Sequence, residues 1–386
     1  MSLSERLAQT STGSPSKLSK YWAALKDETV ITLGGGDPDF DTPGHISQAA
    51  VEAIKRGETH YSPSQGILSL REAVAARYLR KYAVTISPDE IQITSGAANA
   101  LFLAIHSFIL PGDRVVILQP AMGYIINQVE MAGGVVVPFW LENQEPLLDR
   151  KDELKALLNG ARMLISTSPN NPTGRVLTNE EVELLVSMTS EEGCYMLSDE
   201  VYDEVIFDGT QVTTALSFNE RDHIIVVNSF SKTYAMTGWR LGYLIASEPL
   251  REVATRCFGL SVSHINTPTQ HAGIAALNSD QEAVVEMVRE YEKRRNALVA
   301  ELRKIPGIVC WPPNAGLFCF VDISETGLDP AEIAERMLEE VRVFVIPGTG
   351  YGIHGNRFIR LTFANASVPV LEEAGERMAR FFASLG

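Results

Sequence analysis

Several side chains whose types could do chemistry together follow directly after short β-branched runs. Lys232 comes after Ile224–Val227, in Asn228-Ser229-Phe230-Ser231-Lys232-Thr233. A lone lysine is ordinarily solvated surface. One placed behind a buried strand and among small hydroxyl residues can serve as a nucleophile or base. Arg240 stands eight residues further on, at the mouth of Leu241–Ile245, where its planar fork can clamp a phosphate or a carboxylate. Asp199 and Tyr202 follow Tyr195–Leu197, although Asp199 could equally be a helix N-cap. Asn171 follows Met163–Ser166 in a stretch, Ser168-Pro169-Asn170-Asn171-Pro172-Thr173-Gly174, that also reads as a rigid turn. Ser95-Gly96-Ala97-Ala98 follows Ile91–Thr94 and opens a helix, whose free N–H groups and positive dipole end suit an anion. One anion cradle, one lysine, one aspartate, one tyrosine, one asparagine and one arginine fit pyridoxal phosphate. A lysine bonds its aldehyde, and an acid opposite its ring nitrogen keeps that ring protonated as an electron sink.

These residues need a scaffold that gathers strand ends, and the chain supplies one. Seven β-branched runs, the last at Leu241–Ile245, alternate with amphipathic stretches such as Ala97–Phe108, Gly123–Met131 and Asn179–Glu191. That alternation predicts an α/β domain with a mostly parallel seven-stranded sheet between helices, whose ligands bind outside the strands' carboxyl ends. Beyond residue 275 a long charged amphipathic helix at Gln281–Lys304 precedes Phe318–Val321, a helix at Pro330–Val341, Val343–Ile346, Phe358–Phe363 and a C-terminal helix. The expected division is an N-terminal arm and first part of a small domain at 1–45, a large cofactor-binding domain at 46–280, and a smaller α+β domain with its linking helix at 281–386.

Composition narrows the classes. Lys and Arg total 33 against 48 Asp and Glu, a formal charge of −15, so no nucleic-acid footprint is expected. No apolar stretch reaches the ~18 residues of a membrane helix and the polar start, Met1–Lys20, holds no signal-like apolar run, so a cytoplasmic protein is expected. Four scattered cysteines make no disulfide framework, and the seven histidines show no zinc spacing. Neither G-x-x-x-x-G-K-[ST] nor G-x-G-x-x-G is present. Ser229-x-x-Lys232 matches part of the serine β-lactamase pattern, but no K-T-G accompanies it.

The sequence resembles the class I/II aminotransferases, the fold-type I pyridoxal-phosphate enzymes of the aspartate aminotransferase kind, over about residues 30–365. The most specific match runs from Asn228 to Gly242 through Ser229, Lys232, Trp239 and Arg240. Gly36-Asp37-Pro38-Asp39-Phe40, Tyr61 to Gly66, Ser168 to Gly174, Ser198 to Tyr202 and Phe358 to Leu361 support it in the same order. The resemblance implies that Lys232 bonds the cofactor and moves the substrate's α-proton, while Asp199 pairs with the ring nitrogen. It implies that Asn171 and Tyr202 hydrogen-bond the phenolic oxygen, and that Tyr124 stacks on the ring. Ser229, Arg240 and the N–H groups of Ala97 and Ala98 would hold the phosphate, and Arg360, helped by Gly36, the substrate's α-carboxylate. Tyr61 would reach the neighbouring subunit's phosphate, which implies a homodimer with shared sites, and the helix at Gln281–Lys304 would link the large domain to a mobile small domain that closes over substrate.

The implied reaction moves an amino group from an L-amino acid to a 2-oxo acid through a pyridoxamine form. The alternative on the same fold is a β-eliminating carbon–sulfur lyase. A DNA-binding regulator built on this fold is not expected, since only 30 weakly basic residues precede Ile31. Substrate choice is less defined. Ala98 stands where some dicarboxylate-selecting members carry Lys. Ser261–Pro268 contains no Arg, which leaves His264 or Asn266 as candidates to line the pocket. Gly316-Leu317-Phe318-Cys319 replaces the usual Gly-x-Phe-Tyr. These departures weigh against aspartate without selecting an aromatic or aliphatic donor.

Overall fold

Seven β-branched runs form one sheet in the computed structural model, which describes residues 23–24, 26–142 and 145–385. In chain order, β1 is Ile31–Thr32, β2 Ile91–Thr94, β3 Arg114–Gln119, β4 Val135–Trp140, β5 Met163–Thr167, β6 Tyr195–Asp199, β7 Ile224–Ser229 and β8 Gly242–Ala246. The sheet order is β2-β8-β7-β6-β5-β3-β4. Pairings among β3 to β7 are parallel, while β8 runs antiparallel to both β2 and β7. Every residue of β2, β5, β6, β7 and β8 is buried except Tyr195, as expected of strands covered on both faces. The mostly parallel seven-stranded sheet expected from the sequence is therefore present.

The carboxyl ends of β5, β6 and β7 lie side by side, with Thr167 opposite Asp199 and Asp199 opposite Val227. This register brings Asn171, Asp199, Tyr202 and Lys232 to one edge from segments far apart in sequence. Behind that edge, the turn after β6 is anchored by buried ion pairing. Arg77 donates to Asp203 at 2.6 Å and to Glu204 at 2.8 Å, and Tyr82 donates to Asp203 at 2.7 Å. A buried charge held by several donors tolerates little displacement, so the backbone carrying Tyr202 is held in place.

The remaining strands are β9 Val309–Cys310, β10 Phe318–Asp322, β11 Val343–Phe344, β12 Ile346–Pro347 and β13 Phe358–Thr362. Four of them form an antiparallel sheet ordered β12-β13-β10-β9, and β1 pairs in parallel with β11. Val343–Ile346 therefore does not form the single strand its apolar run predicts. Its first half joins β1 and its second half joins β13, with Ile346 opposite Arg360. An unbroken β-branched run signals burial but carries no information about which neighbour accepts its hydrogen bonds, and Pro347 has no N–H to continue a ladder.

The long helix Glu282–Leu302 buries Val284, Met287, Tyr291, Leu298 and Leu302, at the three-and-four spacing of one helix face. Arg294, on the same face, donates to Asp39 at 2.8 Å and to the Ala364 carbonyl at 3.1 Å, tying this helix to the segment that carries Gly36. The polar arm at 1–20 lies outside the described residues.

Candidate active site

A cavity of about 370 Å³ opens at the strand-end edge. It is lined by every residue named above for cofactor or substrate except Tyr61, His264 and Asn266. Lys232 enters it from the loop after β7, with its Nζ donating to the Gly36 carbonyl. Burial lowers its amine from an ordinary 10.5 to about 8. Asp37 opposes that shift, and the guanidinium charges of Arg360 and Arg240 reinforce it. A lysine held there is unprotonated for a useful fraction of the time near neutral pH.

Asp199 ends β6 and is 5% exposed. Burial raises its carboxyl from 3.8 to about 7, opposed by the Val201 N–H, which donates to Oδ1 at 3.2 Å. Its position at a strand end, with no helix following, removes the N-cap reading. Asn171 Nδ2 donates to the Tyr202 hydroxyl at 3.3 Å. Burial raises the phenols of both Tyr202 and Tyr124.

The anion cradle is built by close approach. Gly96 has a φ of +77°, and a Cβ there would stand 2.6 Å from Arg240 Nη2. A side chain at Gly242 would meet the Asn228 carbonyl and the Gly96 backbone at 2.8 Å. These two positions need glycine, and their bareness brings Arg240 against the start of helix Ala97–Phe108. That helix has no side-chain cap, so its first N–H groups face the cavity unclaimed by a capping side chain. Arg240 is oriented by donating to the Thr237 carbonyl at 2.8 Å, and the Ser229 hydroxyl lies 2.9 Å from that of Ser231.

Arg360 approaches from β13. Its Nη2 donates to the Gly34 carbonyl at 2.7 Å, and its guanidinium lies 4.1 Å above the Phe318 ring. Among the described residues its Nε is buried without a hydrogen-bond partner. A guanidinium fork of this kind is the planar donor geometry that matches a carboxylate.

The lining also includes Asp37, Met122, Val201, Ser231, Thr237 and Phe318, which the sequence reading did not single out. For Asp37 a signal was present, since it lies between Gly36 and Pro38 in the glycine-rich turn. Thr237 donates to Asp37 at 2.6 Å, joining that turn to the Lys232 loop. Tyr61 lies outside the cavity, 88% exposed, with its ring 4.5 Å from that of His264 in an edge-on contact. Asn266 caps the helix Thr267–Asn278 by accepting from the Thr269 N–H at 3.1 Å. Neither His264 nor Asn266 lines the cavity of its own protomer.

The donor set fits pyridoxal phosphate. Among the described residues Asp199 is a buried carboxyl with a single N–H donor and no cation against it, which a protonated ring nitrogen would supply. The bare cradle at Gly96, Arg240 and the helix start suits a phosphate. Among the described residues no group of His, Cys, Asp and Glu could hold a metal ion, and no helix is long and apolar enough to cross a membrane.

Comparison with known proteins agrees with this geometry. The family described as aminotransferase class I and II matches residues 28–378. The chain is 36% identical to an aspartate aminotransferase of Pyrococcus horikoshii, covering 90% of each chain. It is 38% identical to aromatic-amino-acid aminotransferase 2 of Thermococcus litoralis over 98% of both. Among solved structures, aspartate aminotransferase from Thermus thermophilus with maleate superposes with a TM-score of 0.91 at 32% identity, covering 98% of this chain and 99% of that one.

Proposed function

Since the chain belongs to the class I and II aminotransferases, which use pyridoxal 5′-phosphate to transfer an amino group from an amino acid to a 2-oxo acid, we propose specific roles for the residues of this cavity. When bound, the cofactor supplies an aldehyde carbon for the amino nitrogen and a ring that withdraws electrons from the α-carbon.

Lys232 holds the cofactor and is the base that takes the proton from the substrate's α-carbon. Its amine, lowered to about 8, suits a group that accepts and returns a proton near neutral pH. Asp199 provides the negative charge that keeps a proton on the ring nitrogen. Placed in a buried site, that charge acts with little screening. Tyr202 and Asn171 hydrogen-bond the phenolic oxygen, and Tyr124 packs on the ring face. Ser229, Arg240 and the N–H groups of Ala97 and Ala98 bind the phosphate. Arg360 binds the α-carboxylate with its fork, oriented by Gly34, Asn171 and Phe318, and the Gly36 backbone helps to seat the substrate. The observation that carries these assignments is that Lys232, Asp199, Arg240 and Arg360, drawn from four separate segments, line one cavity.

The test is a half-reaction. The holoenzyme mixed with an amino donor and no acceptor should release one equivalent of 2-oxo acid per site and then stop, with no ammonia. Continued release of pyruvate and ammonia from a donor with a β-leaving group would instead be lyase chemistry.

The assembly is proposed to be a homodimer in the cytoplasm, with Tyr61 completing the neighbour's phosphate site. The exposure of Tyr61 outside its own cavity supports this reading. Mixing Lys232→Ala chains with Tyr61→Ala chains under exchange should restore activity above either variant alone, since each hybrid holds one site with both residues intact. No gain on mixing contradicts sharing. The unit boundaries 1–45, 46–280 and 281–386, with the last closing over substrate, are likewise proposed. The pairing of Ile31–Thr32 with Val343–Phe344 supports grouping the two ends of the chain.

A further inference from the structure

Beside the cofactor cavity lies a second, of about 1060 Å³, and the two share Gly36, Met122, Tyr124 and Arg360. The shared residues are those around the proposed carboxylate grip. Arg360 Nη1 is 3.8 Å from the Met122 sulfur, and its guanidinium is 5.4 Å from the Tyr351 ring centre. A substrate with its carboxylate on Arg360 and its amino group and α-hydrogen toward Lys232 has one substituent left, the side chain. Within this protomer the adjoining chamber is the space open to it.

The chamber's walls show what chemistry it takes. Met122, Ala334, Leu338, Phe344, Ile346 and Tyr351 supply an apolar lining. Phe344 reaches its place because residue 34 is glycine: a Cβ there would lie 2.3 Å from the Phe344 ring. The charged lining is acidic. It comprises Asp27, Glu335 and Glu339, set against Arg342 and Arg360. Arg342 is paired with Asp27, and Arg360 is committed to the α-carboxylate. Among the described lining residues of this protomer no further cation remains for a second carboxylate on the substrate. From this we infer that the enzyme's preferred donors carry large apolar side chains, of leucine to phenylalanine size, and that dicarboxylic donors are disfavoured. The inference rests on the aminotransferase reading above.

The test uses the wild-type holoenzyme in single-turnover half-reactions with phenylalanine, leucine, alanine, aspartate and glutamate. Phenylalanine and leucine should exceed aspartate and glutamate in kcat/KM by at least about tenfold, the scale on which apolar pockets discriminate. Aspartate or glutamate as the best donor overturns this inference and leaves the aminotransferase reading intact. Failure of all five donors to yield oxo acid overturns both. In Ala334→Phe, which adds bulk to the chamber wall, the ratio of kcat/KM for phenylalanine to that for alanine should fall about tenfold, while cofactor absorption shows the site still loaded. An unchanged ratio places the side chain elsewhere and overturns the inference.

Discussion

Lys232→Ala should lower kcat by at least about 10⁴-fold, because one change removes both the cofactor attachment and the proton-transferring base. Lys232→Arg should fare no better. A guanidinium keeps the charge and the length but does not release its proton in proteins, so it cannot act as the base. The structural cost of either change is small. Among the described residues the side chain's one hydrogen bond is to the Gly36 carbonyl, on the glycine-rich segment that lines the cavity rather than in the apolar core. Thermal melts of the variants should therefore stay close to wild type in the absence of cofactor. Loss of activity through unfolding would show as a lowered transition, and Lys232→Arg retaining more than a few per cent of kcat would contradict the base assignment.

Asp199→Asn should separate function from stability in opposite directions. Replacing the carboxylate by a neutral amide removes the charge that holds a proton on the ring nitrogen, so kcat/KM should fall about 10²–10³-fold. The cofactor-free protein should behave otherwise. The buried carboxyl is raised to about 7 from an ordinary 3.8, so between those values the folded state binds more protons than the unfolded chain. Its contribution to stability is then fully present below about pH 4 and is lost as the pH rises through 7. Asparagine has no such titration. The melting temperature of the cofactor-free variant should therefore gain on wild type between pH 5 and pH 8. A variant that melts lower than wild type by the same amount at both pH values would mean that Asp199 holds the fold together, as a cap or ion-pair partner does.

Much of this site is legible in the sequence, and the reasons differ by residue. Lys232, Asp199 and Asn171 follow buried β-branched runs, and an open α/β sheet places its ligands at such ends. Tyr124 and Arg360 carry no local signal of that kind and were reached only through the family resemblance. Arg360 stands inside Phe358–Thr362, a five-residue strand buried throughout, where periodicity alone points to packing. Thr237 and Met122 enter the cavity lining through contacts between segments that no spacing along the chain encodes. Elements failed for similar reasons. The antiparallel direction of Gly242–Ala246 cannot be read from a run that is apolar in either direction. The helix Glu248–Ser261 carries little periodic signal because it buries little beyond Ala254 and Phe258, a weak stripe on a charged helix. The split at Val345 depends on which sheet offers an edge, a property of the assembled fold.

The central claim is that Lys232 bears the cofactor, and chemical trapping tests it most directly. Borohydride converts a carbon–nitrogen double bond between lysine and the pyridoxal aldehyde to a stable secondary amine. The reduced holoenzyme can then be digested and mapped by mass spectrometry. The mass of the reduced pyridoxal group should appear on the peptide containing Lys232 and on no other. Its appearance on a different lysine, or its absence from a protein that is otherwise loaded with pyridoxal phosphate, would contradict the account.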